Sequence, residues 1–97
     1  MKKTFSLTHP KLPLPRLVEA IKHEVKKYIK RERKKTLPDK VDFWDFDCKF
    51  GADEATSKVI HLSEINTYIS EAESKQLDSF YLEILVKPGY RSKKATE

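Results

Sequence analysis

Two carboxylates and an imidazole near the middle of the sequence are of the types that bind divalent metal ions. In the stretch VDFWDFDCKF, residues 41–50, aromatic side chains alternate with Asp45 and Asp47. If this stretch forms a β-strand, both carboxylates lie on one face, about 6.6 Å apart. They could share a cation if a third ligand approached, and His61 is the candidate for that ligand.

A hairpin would bring this third ligand into place. If Phe50 pairs with Lys58 on the next strand, then Asp47 falls opposite His61 on the same face. Such a site predicts a metal-dependent enzyme in which Lys49 neutralises negative charge that develops on the substrate. The alternative is a solvated pair of side chains, which we favour because hard cations usually require more oxygen ligands than this.

A second group of side chains that could bind a ligand consists of eight cations, in a segment whose apolar residues recur at helical spacing. They are Lys22, Lys26, Lys27, Lys30, Arg31, Arg33, Lys34 and Lys35. Every fourth residue from Lys22 to Lys34 is a lysine, which predicts a row opposite the apolar stripe of the helix. Like charges at this spacing cost about 0.2–0.5 kcal/mol per pair. The row therefore predicts a surface for phosphate backbone, and its alternative is a solvated face that favours solubility.

Other catalytic signatures are weak. Pro38-Asp39 and Asp47-x-Lys49 superficially reproduce a nuclease motif, but an extended chain separates the two aspartates by up to about 26 Å. With only two glycines, the chain cannot form a glycine-rich phosphate loop. No nucleophile triad has a recognisable spacing.

The composition describes a small and heavily charged chain. Its 97 residues carry a net charge of +5, and 36% of them are charged, which suits one domain with a modest core. Residues 1–40 hold thirteen Lys and Arg against four Asp and Glu, whereas residues 41–86 hold three against ten. A folded surface with this separation can steer an anionic partner to one side.

Cysteine content and hydropathy indicate in which cellular compartment the protein is expected. Cys48 is the single cysteine, which excludes an intramolecular disulfide and a multi-cysteine zinc site. No apolar segment of signal-peptide type follows Met1, and no run is long enough to span a membrane. We therefore expect a cytoplasmic protein that has no membrane partner.

The hydrophobic pattern changes between periods of two and of three to four residues along the chain. It predicts strands over 3–8, 41–50, 58–62 and 80–87, a helix over 15–35 and a second helix from an N-cap at Ser63 to about Leu77. The last turn of the first helix, which carries Glu32 and Lys35, is expected to extend past the core. Pro88-Gly89 is expected to stop the final strand.

The resulting order β-α-β-β-α-β predicts the α+β class. It is typical of a ferredoxin-like two-layer sandwich, in which two helices cover one face of an antiparallel sheet. We expect residues 1–88 to form a single domain and residues 89–97 to form a basic, flexible tail.

Five blocks of the sequence carry a resemblance to a known family. They are MKKTFSLTHPK, RLVEAIKHEVKKYIKRERKK, VDFWDFDCKFG, VIHLSEIN and SFYLEILVKPG. Together they are similar to a family of small uncharacterised bacterial proteins classed as a domain of unknown function, over nearly the whole chain. The resemblance implies a bacterial, cytoplasmic origin and brings no ligand, cofactor or catalytic residue to transfer.

From the residues themselves we predict a non-catalytic binding module that needs no cofactor. Its basic helix would contact an RNA or DNA backbone or an acidic protein. The alternative is the metal-dependent enzyme around Asp45, Asp47 and His61. The oligomeric state stays open between a monomer and a weak homodimer, because residues 1–40 of one copy could attract residues 41–86 of another.

Overall fold

The computed structural model describes residues 1–91. Helices and strands follow one another in the predicted order. They are β1 (Lys2–Ser6), α1 (Leu14–Arg33), β2 (Phe43–Gly51), β3 (Lys58–Ile60), a 3₁₀ turn (Leu62–Glu64), α2 (Ile65–Ser74) and β4 (Ser79–Gly89). The predicted α+β class is confirmed.

The four strands form one antiparallel sheet in the order β1-β4-β2-β3. The strands of each β-α-β unit are separated by one strand of the other unit, since β4 lies between β1 and β2, and β2 lies between β4 and β3. This is a split β-α-β arrangement. The sheet and the helices form the two predicted layers, whereas the narrower ferredoxin-like assignment stays a prediction.

One apolar core joins the sheet to both helices. Phe80, Leu82 and Ile84 of β4 are fully buried, because alternate residues of a strand share a face. The Phe80 ring lies 5.4 Å from that of Phe5 and 4.9 Å from that of Phe50, measured between centroids. The helices add stripes at helical spacing to the same core, namely Val18, Ile21 and Val25 on α1 and Ile65, Ile69 and Ala72 on α2. Both helices therefore cover one face of the sheet, as predicted.

The two ends of α1 differ from the prediction. The helix begins at Leu14, with Pro13 as N-cap residue and a proline in its first turn. The N–H groups of the first turn have no acceptor within the helix, so the proline costs no hydrogen bond there. At the other end, Glu32 is only 6% exposed, and its Oε1 lies 2.9 Å from the Nζ of Lys35. The expectation that the last turn extends past the core is wrong, because Trp44 Nε1 donates a hydrogen bond to the carbonyl of Lys35 and holds β2 against this end.

Strand β4 continues through Pro88 and Gly89, so the prediction that these residues stop it is wrong. Pro88 pairs with Trp44 and Gly89 pairs with Phe43. Beyond Glu83, β4 is no longer paired with β1 and has β2 as its only strand neighbour among the described residues. A proline is tolerated in such an edge segment, because its missing N–H can face the unpaired side. A Cβ on Gly89 would lie 2.3 Å from Cε2 of the exposed Phe43 ring, so a larger residue here would require that ring to move.

The expected division into a domain at 1–88 and a tail at 89–97 stays a prediction. Gly89 belongs to β4, and the backbone N–H of Arg91 donates to Oδ2 of Asp42 at 2.7 Å. The rest of the predicted tail, residues 92–97, lies outside the described residues. Within residues 1–91, neither helix combines the length and the apolarity that crossing a bilayer requires.

Candidate anion-binding groove

Most of the predicted cations, which lie on α1 and just after its end, line a groove between this helix and the start of α2. They are Lys22, Lys26, Lys30, Arg33 and Lys34. The row begins beside α2, since Lys22 Nζ donates to Ser70 Oγ at 2.7 Å. Each step of four residues then turns the side chain by about 40° away from the core. The row therefore starts next to the apolar stripe, and the prediction that all of it lies opposite the stripe is wrong.

The opposite wall of the groove consists of His61, Leu62, Ser63, Ile65 and Asn66, and the groove has a volume of about 940 Å³. This volume lies within the range of about 300–1,000 Å³ typical of ligand sites. Apolar side chains form the floor, namely Val25, Ile29, Leu62 and Ile65. Polar groups on the rim are His23, His61, Ser63 and Asn66. The groove thus combines a cationic wall, an apolar floor and a polar wall.

His61 organises the polar wall by capping the 3₁₀ turn. Its Nδ1 accepts a hydrogen bond from the backbone N–H of Ser63 at 3.2 Å, and the backbone N–H of His61 donates to Oε1 of Glu64 at 2.8 Å. This is a capping box with histidine in the place of the usual serine or threonine. The prediction of Ser63 as N-cap is wrong because the turn starts earlier, at Leu62.

The five cations that line the groove form no ion pair within residues 1–91, and the carboxylate of Glu64, next to the facing wall, is bonded to the backbone N–H of His61. None of the groove-lining residues in the described part of the chain is an Asp or Glu. Among residues 1–91, ion pairs join Lys3 to Glu24, Lys35 to Glu32 and Lys87 to Asp47. Of the eight cations, Lys35 alone is paired with a carboxylate in this range. The groove is therefore a region of positive potential, which raises the local concentration of anions.

Three of the eight cations lie outside the groove. Lys27 and Arg31 border a smaller depression of about 360 Å³ on the outer side of α1, which they share with Lys30 and Lys34. The guanidinium carbon of Arg31 lies 5.7 Å from the ring centroid of Tyr28. The third is Lys35, the partner of Glu32. The predicted binding surface is thus divided between the groove and the outer side of the helix.

The predicted metal ligands are not brought together. The hairpin register is as predicted, but β3 ends before His61, which caps the 3₁₀ turn. Asp47 Oδ1 accepts a hydrogen bond from Lys87 Nζ at 2.7 Å, and Asp45 Oδ1 accepts one from the N–H of the next residue. Over residues 1–91, no group of three or more His, Cys, Asp or Glu side chains is placed to hold a metal ion.

The outer face of the sheet contains a buried pair of side chains that sequence reasoning missed. The Tyr81 hydroxyl donates to Oε1 of Glu83 at 2.7 Å, and both residues are buried. Burial raises the pKa of Tyr81 to about 12, and the hydrogen bond to Glu83 adds to the shift. The sequence contains one indication of this buried pair. Gly51 lies opposite Tyr81 on β2, and a glycine places no side chain beside the tyrosine.

Comparison with known proteins gives the chain a family. No curated protein and no solved structure matches it. The model of one family, described as a family of unknown function (DUF6172), matches residues 1–95. The match covers α1, the groove and all four strands, and the chain therefore belongs to this family of unknown function.

Proposed function

We propose that the protein is a small binding module that holds a nucleic-acid backbone in the groove between α1 and residues 61–66. The observation that carries the proposal is the row of five cations in a groove whose lining contains no carboxylate among the described residues. Phosphates placed along this row would release counterions from the nucleic acid, and that release supplies most of the affinity of sequence-independent binding.

The length of the row supports a polymeric partner. The rise from Lys22 to Lys34 is about 18 Å along the helix axis. This distance spans several successive phosphates of a nucleic-acid strand. A single phosphate would engage only part of the row and would leave the repulsion among the other lysines in place. A chain of phosphates matches the whole row.

An acidic protein is the competing partner for the same charges. It would bring carboxylates at the irregular spacing of side chains rather than the regular spacing of a phosphodiester chain. No observation of comparable weight favours the metal-dependent enzyme, because Asp47 pairs with Lys87 and His61 caps a turn. The cytoplasmic location and the bacterial origin stay predictions.

The test is an equilibrium titration of short, fluorescently labelled RNA and DNA, followed by anisotropy at several salt concentrations. The proposal predicts saturable binding whose logarithm of affinity falls linearly with the logarithm of salt concentration. Unlabelled polyglutamate is added as competitor. If polyglutamate displaced the nucleic acid at equal charge concentration, an acidic protein would replace nucleic acid as the partner. Absence of binding to any nucleic acid at low salt would overturn the proposal.

A further inference from the structure

We infer that the groove takes single-stranded rather than double-stranded nucleic acid, an inference that depends on the proposed function. Its basis is the apolar floor between the two polar walls. Val25 and Ile65 are buried, so the part of the floor that a ligand can reach is provided by Ile29 and Leu62, which are only partly buried. A duplex keeps its bases stacked inside and offers phosphates and sugars to a protein surface. A single strand also offers the faces of its bases, which can cover such a floor.

The concave shape acts against a duplex. A duplex is stiff over the length of this site and presents the convex surface of its backbone to a protein. The cationic side of α1 forms one wall of a groove, and His61, Leu62, Ser63, Ile65 and Asn66 form the other. A volume of about 940 Å³ can hold a few nucleotides, whereas a rigid duplex would rest across the rims and leave the floor uncovered.

The polar wall provides groups suited to exposed bases. Nδ1 of His61 lies 3.2 Å from the backbone N of Ser63 and 2.8 Å from Ser63 Oγ, so this nitrogen is already engaged. The other ring nitrogen, Nε2, has no hydrogen-bond partner among residues 1–91 and can exchange a hydrogen bond with a base or sugar. Asn66, exposed on the same wall, offers both a donor and an acceptor. On the facing wall, the imidazole of His23 can stack on a base.

The test compares one oligonucleotide as a single strand and annealed to its complement, both as RNA and as DNA, at one salt concentration. We expect the single strand to bind at least about fivefold more tightly, the gain expected from one stacked base. Equal or tighter binding of the duplex would overturn the inference and leave the proposed function intact. Absence of binding to every form would overturn both.

Two variants locate the preference in the groove. His23→Ala combined with Asn66→Ala removes exposed groups from the two walls without changing the lysine row. This variant should lose affinity for the single strand. Its weak affinity for the duplex, and the salt dependence of its binding, should stay unchanged. Thr67→Ala, an exposed change at the next position of α2 outside the groove lining, should change neither. Equal losses for single strand and duplex in the double variant would contradict the inference.

Discussion

Replacing Lys26, Lys30 and Lys34 by glutamine should remove most of the nucleic-acid affinity while the fold stays intact. All three side chains are exposed, and glutamine forms helices about as well as lysine. The replacements also relieve the three like-charge pairs of the row, at about 0.2–0.5 kcal/mol each. The melting temperature of the variant should therefore be equal to or a few degrees above that of the wild type.

The magnitude follows from the number of cations in the groove. Binding to a single strand has a slope of about −0.7 per phosphate neutralised in a plot of log affinity against log salt. Five cations line the groove, so the wild type should have a slope of about −3.5 and lose about a hundredfold in affinity between 50 and 200 mM salt. The variant keeps Lys22 and Arg33, which gives a slope of about −1.4 and a loss of about sevenfold.

Anisotropy titrations of both proteins over this salt range measure the two slopes. A matched control replaces Lys11, Lys58 and Lys75 by glutamine, which lowers the net charge equally at exposed positions outside the groove. The control should keep a slope near that of the wild type. An unchanged slope in the groove variant, or an equal reduction in the control, would refute the assignment of the phosphates to the groove.

Three further predictions concern the fold. Gly51→Ala should lower the free energy of unfolding by about 1–3 kcal/mol in urea titrations, because the new Cβ would lie 2.6 Å from the backbone Cα of Ser57; an unchanged midpoint would contradict this contact. Burial raises the pKa of the Cys48 thiol to about 11, so a thiol reagent should label it only after unfolding, and rapid labelling of the folded protein would show the burial to be wrong. Burial and then the bond to Glu83 raise the pKa of Tyr81 to about 12, above the value of about 10 for an unfolded chain. The folded state thus retains this proton more strongly, and the free energy of unfolding should fall as pH rises between these values. Tyr81→Phe should abolish this fall and should remove the step at highest pH from the tyrosinate absorbance titration. If the variant instead lost a step near pH 10, the contact would be contradicted.

Much of the fold follows from local patterns. Alternation in β2 and β4 predicted the buried faces around Cys48 and Leu82, because a strand points successive side chains to opposite faces. Helical spacing likewise predicted the buried stripe of α1. These patterns depend on neighbours in the chain and need no knowledge of the tertiary arrangement.

The features that define the groove depend on which elements become neighbours. The lysine spacing predicted a row on α1, but no local pattern indicates that α2 lies beside that row. Asn66 is an ordinary polar residue until the packing of the helices brings it opposite the lysines. His61 was expected on a strand face, and the early end of β3 released it to cap a turn instead. Local sequence predicts that Pro88 ends a strand. Only the strand order shows that this end of β4 is paired on one side alone, where a proline can be accommodated.

The location of the bound anion is best measured by amide chemical-shift mapping. The backbone amide spectrum would be followed while a short oligouridylate is added to the full chain. Shifts concentrated in residues 22–34 and 61–66, with the outer sheet face around Tyr81 unchanged, are the predicted result. Saturable shifts centred on the outer sheet face, or binding without shifts in either groove wall, would contradict the proposal that this groove is the nucleic-acid site.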